Sequence, residues 1–359
     1  MIRVLIVNDS LVAVQAMKRI LATDPDIELA GVAADGVIAV TMAESLKPDV
    51  ILMDIEMPNK NGVEATREIM VANPCPILIV STLFDTNKPF VYEALRCGAL
   101  EAIKSPAIGA LAASDQSGQT PGISPEAKIL LSKVHTMHLL KDIAVGRVRL
   151  EGTKDRKDMI PLAEKAGQGN LAEKVIAIGA SAGGPGATLE VLSGLPENIK
   201  AGILISQHMD EDFTKGLADW LNSKSRIKVC EAKNGDRVLE GVAFVARGGA
   251  AGMVVNEDKT ISYKYLKEGL EFTPSINMML QSVAKVYRNN ALGVILSGMG
   301  DDGAVGLGAI RLQDGLTVAQ DEETSIIYGM PKVAKEKGAA KLILPLSEIS
   351  RQIIKWVQG

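Results

Sequence analysis

Short apolar runs and amphipathic stretches alternate along the first hundred residues. Arg3–Val7, Ile27–Ala33, Val50–Met53 and Ile77–Val80 are compact and rich in β-branched residues, a pattern that predicts strands. Between them Leu11–Leu21, Gly36–Leu46, Glu64–Ala72 and Lys88–Cys97 repeat apolar residues at helical spacing. Such alternation predicts a parallel sheet with helices on both faces. A stretch rich in Ser, Gln, Gly, Thr and Pro follows at Ser114–Ser124. Ser124-Pro125 then reads as the N-cap and first position of a helix running to about Val145. The charged, glycine-bearing segment Gly146–Glu173 reads as a linker.

From Lys174 the alternation resumes. Strands are expected at Val175–Ile178, Ile203–Ser206, Val242–Val245, Leu292–Leu296, Thr317–Ala319 and Lys341–Leu344. Helices are expected at Ala187–Leu192, Phe213–Asn222, Ile276–Val286, Ala304–Gln313 and Ser347–Trp356. The expectation is therefore two doubly wound, parallel-sheet α/β domains at residues 1–145 and 174–359, with a linker over 146–173.

Composition narrows the class. The 359 residues exceed what one hydrophobic core usually serves. Aromatic residues are only 3%, so the cores must be built from Val, Ile, Leu, Ala and Met. A formal net charge of −4 argues against a broad nucleic-acid or anionic-membrane surface. No basic recognition helix stands out for DNA. Cys75, Cys97 and Cys230 form no C-x-x-C pair and read as reduced thiols. The first apolar run meets Asp9 at once, unlike a signal peptide, and no apolar run is long enough to span a bilayer. The expected setting is the cytoplasm, without direct membrane insertion.

Three groups stand where strands of the first domain should end: Asn8-Asp9, Asp54 and Lys104. In an open parallel sheet the carboxyl ends of the strands share one edge, which is where ligands bind. Two carboxylates and an amide there suit Mg²⁺, which takes a few protein oxygens and keeps water and phosphate oxygens in its shell. Asp54 would be a nucleophile forming an acyl phosphate, with Lys104 and the Ser81 hydroxyl on phosphoryl oxygens. Taken singly, Asp9 reads equally as a helix cap, Asp54 as a turn residue and Lys104 as a solvated lysine. The joint spacing of Asp9, Asp54 with Met57-Pro58 and Gly62, Ser81 and Lys104 resembles that of response-regulator receiver domains, which have a flavodoxin-like fold. The resemblance implies phosphorylation at Asp54, with Mg²⁺ held by Asp9, Asp54 and Glu56. Three positions depart from it. Asn8 replaces the first of two usual acids, Ser105 separates Lys104 from Pro106, and Glu101 stands where an aromatic residue is common.

In the second domain, Gly179-Ala180-Ser181-Ala182-Gly183 fits Gly-x-Ser-x-Gly, which projects a serine from a tight turn beside backbone N–H donors. A phosphate-binding or packing turn would look the same. His208 is the only histidine of that domain, since His135 and His138 fall on the Ser124–Val145 helix, so it is the only candidate imidazole base. Gly298-Met299-Gly300-Asp301-Asp302-Gly303 offers an acid to orient it. The same loop matches G-x-G-x-x-G with Asp321 about twenty residues on, so a dinucleotide site is the rival reading.

IGASAGGP, ISQHM, GVILSGMGDDGA and IIYGMP resemble the catalytic domain of the CheB family of chemotaxis protein-glutamate methylesterases/glutaminases. The resemblance implies a Rossmann-like domain with Ser181 as nucleophile, His208 as base and Asp302 as orienting acid. Met299 and Gly183 would support the oxyanion. It also implies methylated chemoreceptors as substrate, a chemotaxis histidine kinase as phosphodonor and no cofactor for hydrolysis. Another protein substrate, or a relative without esterase activity, is the alternative. Ala182 stands where a threonine is frequent, Asp301 where asparagine is usual, Asp210-Glu211-Asp212 where Pro-Pro-Gly is frequent, and Thr273-Pro274-Ser275-Ile276-Asn277 where Arg-Pro-Ser-Val-Asp is usual.

Overall fold

The computed structural model describes residues 1–81, 88–106, 124–141, 169–249, 251–265 and 274–359. The chain divides into two compact units, Met1–Leu150 and Glu151–Gly359. Most of the expected linker, the end of the helix expected to reach Val145, and Thr273 lie outside the described residues.

The first unit runs β1 (Ile2–Val7), α1 (Leu11–Leu21), β2 (Ile27–Ala33), α2 (Gly36–Leu46), β3 (Val50–Met53), α3 (Gly62–Ala72), β4 (Ile77–Ser81), α4 (Lys88–Arg96), β5 (Glu101–Lys104) and α5 (Pro125–Leu139). Its sheet has the order β2-β1-β3-β4-β5, parallel throughout. Contacts group α1 with α5 and α2 with α3 and α4, the two sides of a doubly wound fold. The helices start where the sequence supplies caps. Ser10, Asp35 and Ser124 accept from the N–H three residues on, and Asn61 and Glu64 close a capping box. β3 is completely buried, consistent with an apolar run covered on both faces. His135 meets Asp24 at 2.7 Å, which accounts for one of the two histidines of α5 structurally.

The second unit runs β6 (Val175–Ala180), α6 (Gly184–Ser193), β7 (Gly202–Gln207), α7 (Glu211–Lys224), β8 (Lys228–Glu231), β9 (Val242–Val245), β10 (Ala251–Val255), β11 (Ile261–Tyr265), α8 (Ile276–Tyr287), β12 (Ala291–Ile295), α9 (Ala304–Leu312), β13 (Leu316–Gln320), α10 (Met330–Glu336), β14 (Leu342–Leu344) and α11 (Leu346–Gln358). Seven strands form one sheet in the order β14-β13-β12-β6-β7-β9-β8. All its pairings are parallel. The chain goes from β6 outward to β7 and later returns to the other side of β6 with β12. The strand order therefore reverses at β6, and a sheet of this kind binds its ligands at such a reversal. α6 touches α7 and α11, while α9 touches α8 and α10.

Four elements are absent from the sequence reading. β8 is a four-residue strand at the sheet edge with charged ends, so it carries no alternating pattern. β10 and β11 pair antiparallel, separate from the main sheet. α10 spans seven residues and opens at Met330-Pro331, too short for a helical period to show. Leu171 bridges to Leu239, so the last residues of the expected linker already belong to the second unit. Lys174 reaches the C-terminal carbonyls of α11, at Trp356 (3.0 Å) and Val357 (2.9 Å), and its ammonium sits 5.3 Å from the Trp356 ring centre. Cys75, Cys97 and Cys230 are free thiols, and burial pushes Cys75 up to about 12. Among the described residues no helix is long and apolar enough to cross a membrane.

Candidate active site

In the second unit, three neighbouring strands, β12, β6 and β7, end together. Ala180 pairs with Gln207, so the next residues, Ser181 and His208, leave the sheet side by side. The ladder continues one step further, with His208 N donating to Ala180 O at 3.0 Å. On the other side Ser181 N donates to Ser297 O at 3.0 Å. Ser181 is half-buried, and the His208 side chain is 9% exposed.

The loop after β12 turns Asp302 inward. Its Oδ2 lies 2.9 Å from His208 Nε2. The same carboxylate accepts from Ile276 N (2.8 Å), Asn277 N (2.9 Å) and Gly303 N (3.0 Å). Ile276 and Asn277 open α8, and an anion at a helix N-terminus satisfies donors that have no intrahelical partner. Burial alone would raise the Asp302 carboxyl. The bond to His208, the charge of that ring and the N–H groups of Asn277 and Ile276 outweigh it and hold the group below its ordinary 3.8. Asp301 is exposed instead, 3.6 Å from Lys337 Nζ, so the two adjacent acids have different surroundings.

The loop holding Met299 is tied down on both sides. A Cβ on Gly298 would stand 2.7 Å from the Ser181 Cβ, so only glycine lets the two turns approach this closely. Gly298 N donates to Ile327 O, and Gly298 O accepts from Gly329 N (3.1 Å) and Met330 N (2.8 Å). Gly183 adopts φ +76 as the N-cap of α6, a left-handed turn that favours glycine. Ser297, 1% exposed, connects these pieces. Its Oγ donates to Ala182 O (2.7 Å) and accepts from Ile327 N (2.9 Å), while its N–H reaches Gln320 Oε1 (2.8 Å). Asn277 has its own task, accepting from Gly306 N at 2.7 Å and joining α8 to α9.

The rival dinucleotide reading does not fit this geometry. Gly298 is occupied by contact with Ser181, and Asp321 Oδ1 accepts from Thr324 N (3.0 Å) and Thr324 Oγ1 (2.6 Å), within its own loop. Gln207, Ser297 and Gln320 were not singled out by the sequence reading. The signal available was a polar residue closing an otherwise apolar strand: Gln207 ends β7, Ser297 follows β12 and Gln320 ends β13.

In the first unit, Val7 pairs with both Ala33 and Met53, aligning the ends of three strands. Asn8, Asp9 and Asp54 leave the sheet there, and Ser81 is in register with Lys104. Asp54 Oδ2 accepts from Asn8 Nδ2 (2.9 Å) and Oδ1 from Ile55 N (2.7 Å). Burial pushes the Asp54 carboxyl up to about 6, and the charges of Asp9 and Glu56 add to the effect. Among the described residues no three His, Cys, Asp or Glu side chains are grouped as metal ligands. The expected set of Asp9, Asp54 and Glu56 is thus not preassembled as three carboxylates. Asp9 and Glu56 are exposed, and their charges act on the Asp54 carboxyl. A buried carboxylate with two further acids acting on it is a set of hard oxygen donors that a divalent cation would relieve, so the residues fit Mg²⁺.

That pocket also sets a stability prediction. A carboxyl held at about 6 against an ordinary 3.8 binds its proton more tightly in the folded state. Its contribution is greatest below 3.8 and is lost as pH rises through about 6. Relative to Asp54→Asn, the metal-free wild type is therefore expected to lose stability between pH 4 and pH 7, by at most about 3 kcal/mol. Urea unfolding of both with a chelator present checks this, and a midpoint difference that does not change with pH would contradict it.

A receiver-type sheet and a second α/β unit bearing a serine, a histidine and an acid at adjoining strand ends define a two-part protein of regulatory and hydrolytic type. The comparisons agree. The family model of the CheB methylesterase matches residues 176–353, and that of the response regulator receiver domain matches residues 4–111. A protein-glutamate methylesterase/protein-glutamine glutaminase 1 of Burkholderia lata is 41% identical over 349 residues, covering 97% of this chain and 97% of that protein. A protein of the same name from Pseudomonas fluorescens is 38% identical over 98% of each chain. The crystal structure of the Thermotoga maritima CheB methylesterase catalytic domain is 34% identical, covers 51% of this chain and 97% of that one, and has a TM-score of 0.48. The chain belongs to the CheB methylesterase family and carries a response-regulator receiver domain.

Proposed function

We propose that the chain is a protein-glutamate methylesterase and protein-glutamine glutaminase, activated by phosphorylation of Asp54, with residues 1–145 as receiver and 174–359 as catalytic domain, joined by a linker within 146–173 whose last residues pack with the catalytic domain. The observation that carries the chemistry is the buried 2.9 Å contact between His208 Nε2 and Asp302 Oδ2 beside the Ser181 turn. Because Nε2 is engaged by the carboxylate, Nδ1 is the nitrogen that serves as base. Ser181 Oγ attacks the ester carbonyl of a glutamyl side chain, and its proton passes to His208 Nδ1. The resulting imidazolium is stabilised by Asp302. Backbone N–H groups at Met299 and the Gly183 turn receive the oxyanion. The tetrahedral species collapses, the bond between the acyl carbon and the methoxy oxygen breaks, and methanol leaves with the proton from His208. Water, deprotonated by the same ring, then cleaves the acyl-enzyme and releases glutamate and Ser181. With a glutamine side chain, ammonia leaves in place of methanol.

In the receiver, an Asp54 oxygen attacks the phosphorus of the donor, and the bond from phosphorus to the donor breaks. Asp9, Asp54 and Glu56 would hold Mg²⁺, which when bound neutralises charge on the phosphoryl oxygens. Ser81 and Lys104 contact those oxygens, and Asn8 donates to Asp54. The receiver supports a histidine kinase as phosphodonor, the chemotaxis kinase in this reading. The catalytic domain supports methylated proteins as substrates, here chemoreceptors reached from the cytoplasm.

Asp54→Asn is expected to keep basal methanol release and to lose all stimulation by a small phosphodonor. Equal stimulation of the variant would overturn the switch.

A further inference from the structure

We infer that Gln207 is a positioning residue for hydrolysis, one carboxamide that locks the serine turn to the base. The inference rests on the proposed roles of Ser181 and His208. Gln207 closes β7 and is 4% exposed. Its Nε2 donates to Ser181 O at 2.8 Å and to His208 O at 3.2 Å. An amide nitrogen carries two hydrogens, so both carbonyls are served by one group. The reverse orientation would turn Oε1 toward two carbonyl oxygens and is excluded by repulsion.

Oε1 itself is buried without a hydrogen-bond partner. It points toward Gly184, where a Cβ would stand only 2.2 Å away. An apolar side chain of the same length would fill this space and leave no orphaned acceptor. What the glutamine adds is the pair of N–H donors aimed at the nucleophile and at the base. The Ser181 carbonyl also accepts from Gly184 N at 2.8 Å, so two donors from different elements hold that turn. The His208 carbonyl has its place set by the same amide while Asp302 sets the ring. Backbone register and ring orientation are thus controlled separately. Displacing reacting groups by a fraction of an ångström to an ångström lowers rates steeply, because attack requires a near-attack geometry.

The test uses the full chain and a fluorophosphonate probe, in which a serine oxygen displaces fluoride from phosphorus, together with steady-state ester hydrolysis. Gln207→Met is expected to slow phosphonylation and kcat by about ten- to a hundredfold, with KM within twofold and the thermal midpoint close to that of the wild type. Gln207→Glu, which keeps the shape and loses the donors while ionised, is expected to regain part of the lost rate as pH falls and its carboxyl becomes a donor, when each rate is divided by the wild-type rate at the same pH. Labelling of Gln207→Met within twofold of wild type overturns the inference. If it does not fold, a Gln207→Glu ratio that is flat with pH overturns it. Ser181→Ala separates the two levels. If that variant is labelled like wild type, the assignment of the nucleophile fails and this inference falls with it. If it is unlabelled while Gln207→Met reacts normally, only the role of Gln207 is rejected.

Discussion

Ser181→Ala and His208→Ala are each expected to lower methanol release by on the order of 10⁴- to 10⁶-fold, the scale seen when a nucleophile or its base is removed from a unit that acts as a whole. The double variant should be scarcely slower than either single one, because each step needs both groups. The folded state should barely notice the loss of the Ser181 hydroxyl. The serine is half-buried, and its structural bonds are made by its backbone, N–H to Ser297 O and carbonyl from Gly184 N and Gln207 Nε2. An activity loss without a stability loss is therefore the signature. Methanol release and thermal unfolding on the same preparation provide the check. Near-wild-type release from either variant would mean that the three strand ends do not act as a relay.

Asp302→Asn is expected to lower kcat by about 10³- to 10⁴-fold and, unlike the serine change, to destabilise the protein. Asn has two ways to sit. With its NH₂ at the Oδ2 position it opposes Ile276 N and donates to His208 Nε2. The ring proton is then driven to Nδ1, the wrong tautomer for a base at that nitrogen. With its NH₂ at the Oδ1 position it opposes both Asn277 N and Gly303 N. Either choice leaves buried donors facing one another, at a cost of about 1–3 kcal/mol. The pH dependence follows from the sign of the Asp302 shift. A carboxyl held below 3.8 contributes stability that is present above that value and is lost as pH falls through its own lowered one. Wild-type and Asp302→Asn unfolding midpoints should accordingly differ most near neutrality and converge in strong acid. A constant difference across that range would refute the assigned electrostatics.

Much of this arrangement was legible before any coordinates, and the reasons are physical. Buried parallel strands such as Val50–Met53 and Val175–Ala180 read as uninterrupted apolar runs, and their ends locate the residues that leave the sheet. Asp54, Ser181 and His208 stand out because they sit just beyond such ends. β8 could not be found, because an edge strand of four residues with charged ends looks like a loop. The partners of Asp302 were hidden for a different reason. Backbone N–H groups of Ile276 and Asn277 have no residue signature, and their role appears only once α8 is placed over the strand ends. Asn277 stood out only as a departure from the family's usual acid. The structure gives its side chain a bond to Gly306 N that either an amide or a carboxylate oxygen would accept. The expected three-carboxylate metal set shows the opposite limit. Spacing pointed to Asp9 and Asp54 and the resemblance added Glu56, while Asp9 and Glu56 stand exposed beside a buried Asp54 carboxyl.

The proposed relay of Ser181, His208 and Asp302 and its regulation are tested most directly by methanol release from methyl-esterified chemoreceptor membranes, measured with and without a small phosphodonor. The account predicts release by the wild-type chain in both conditions, faster with the donor, and none above background from Ser181→Ala. Release that is equal for wild type and Ser181→Ala, or absent from both, would contradict it.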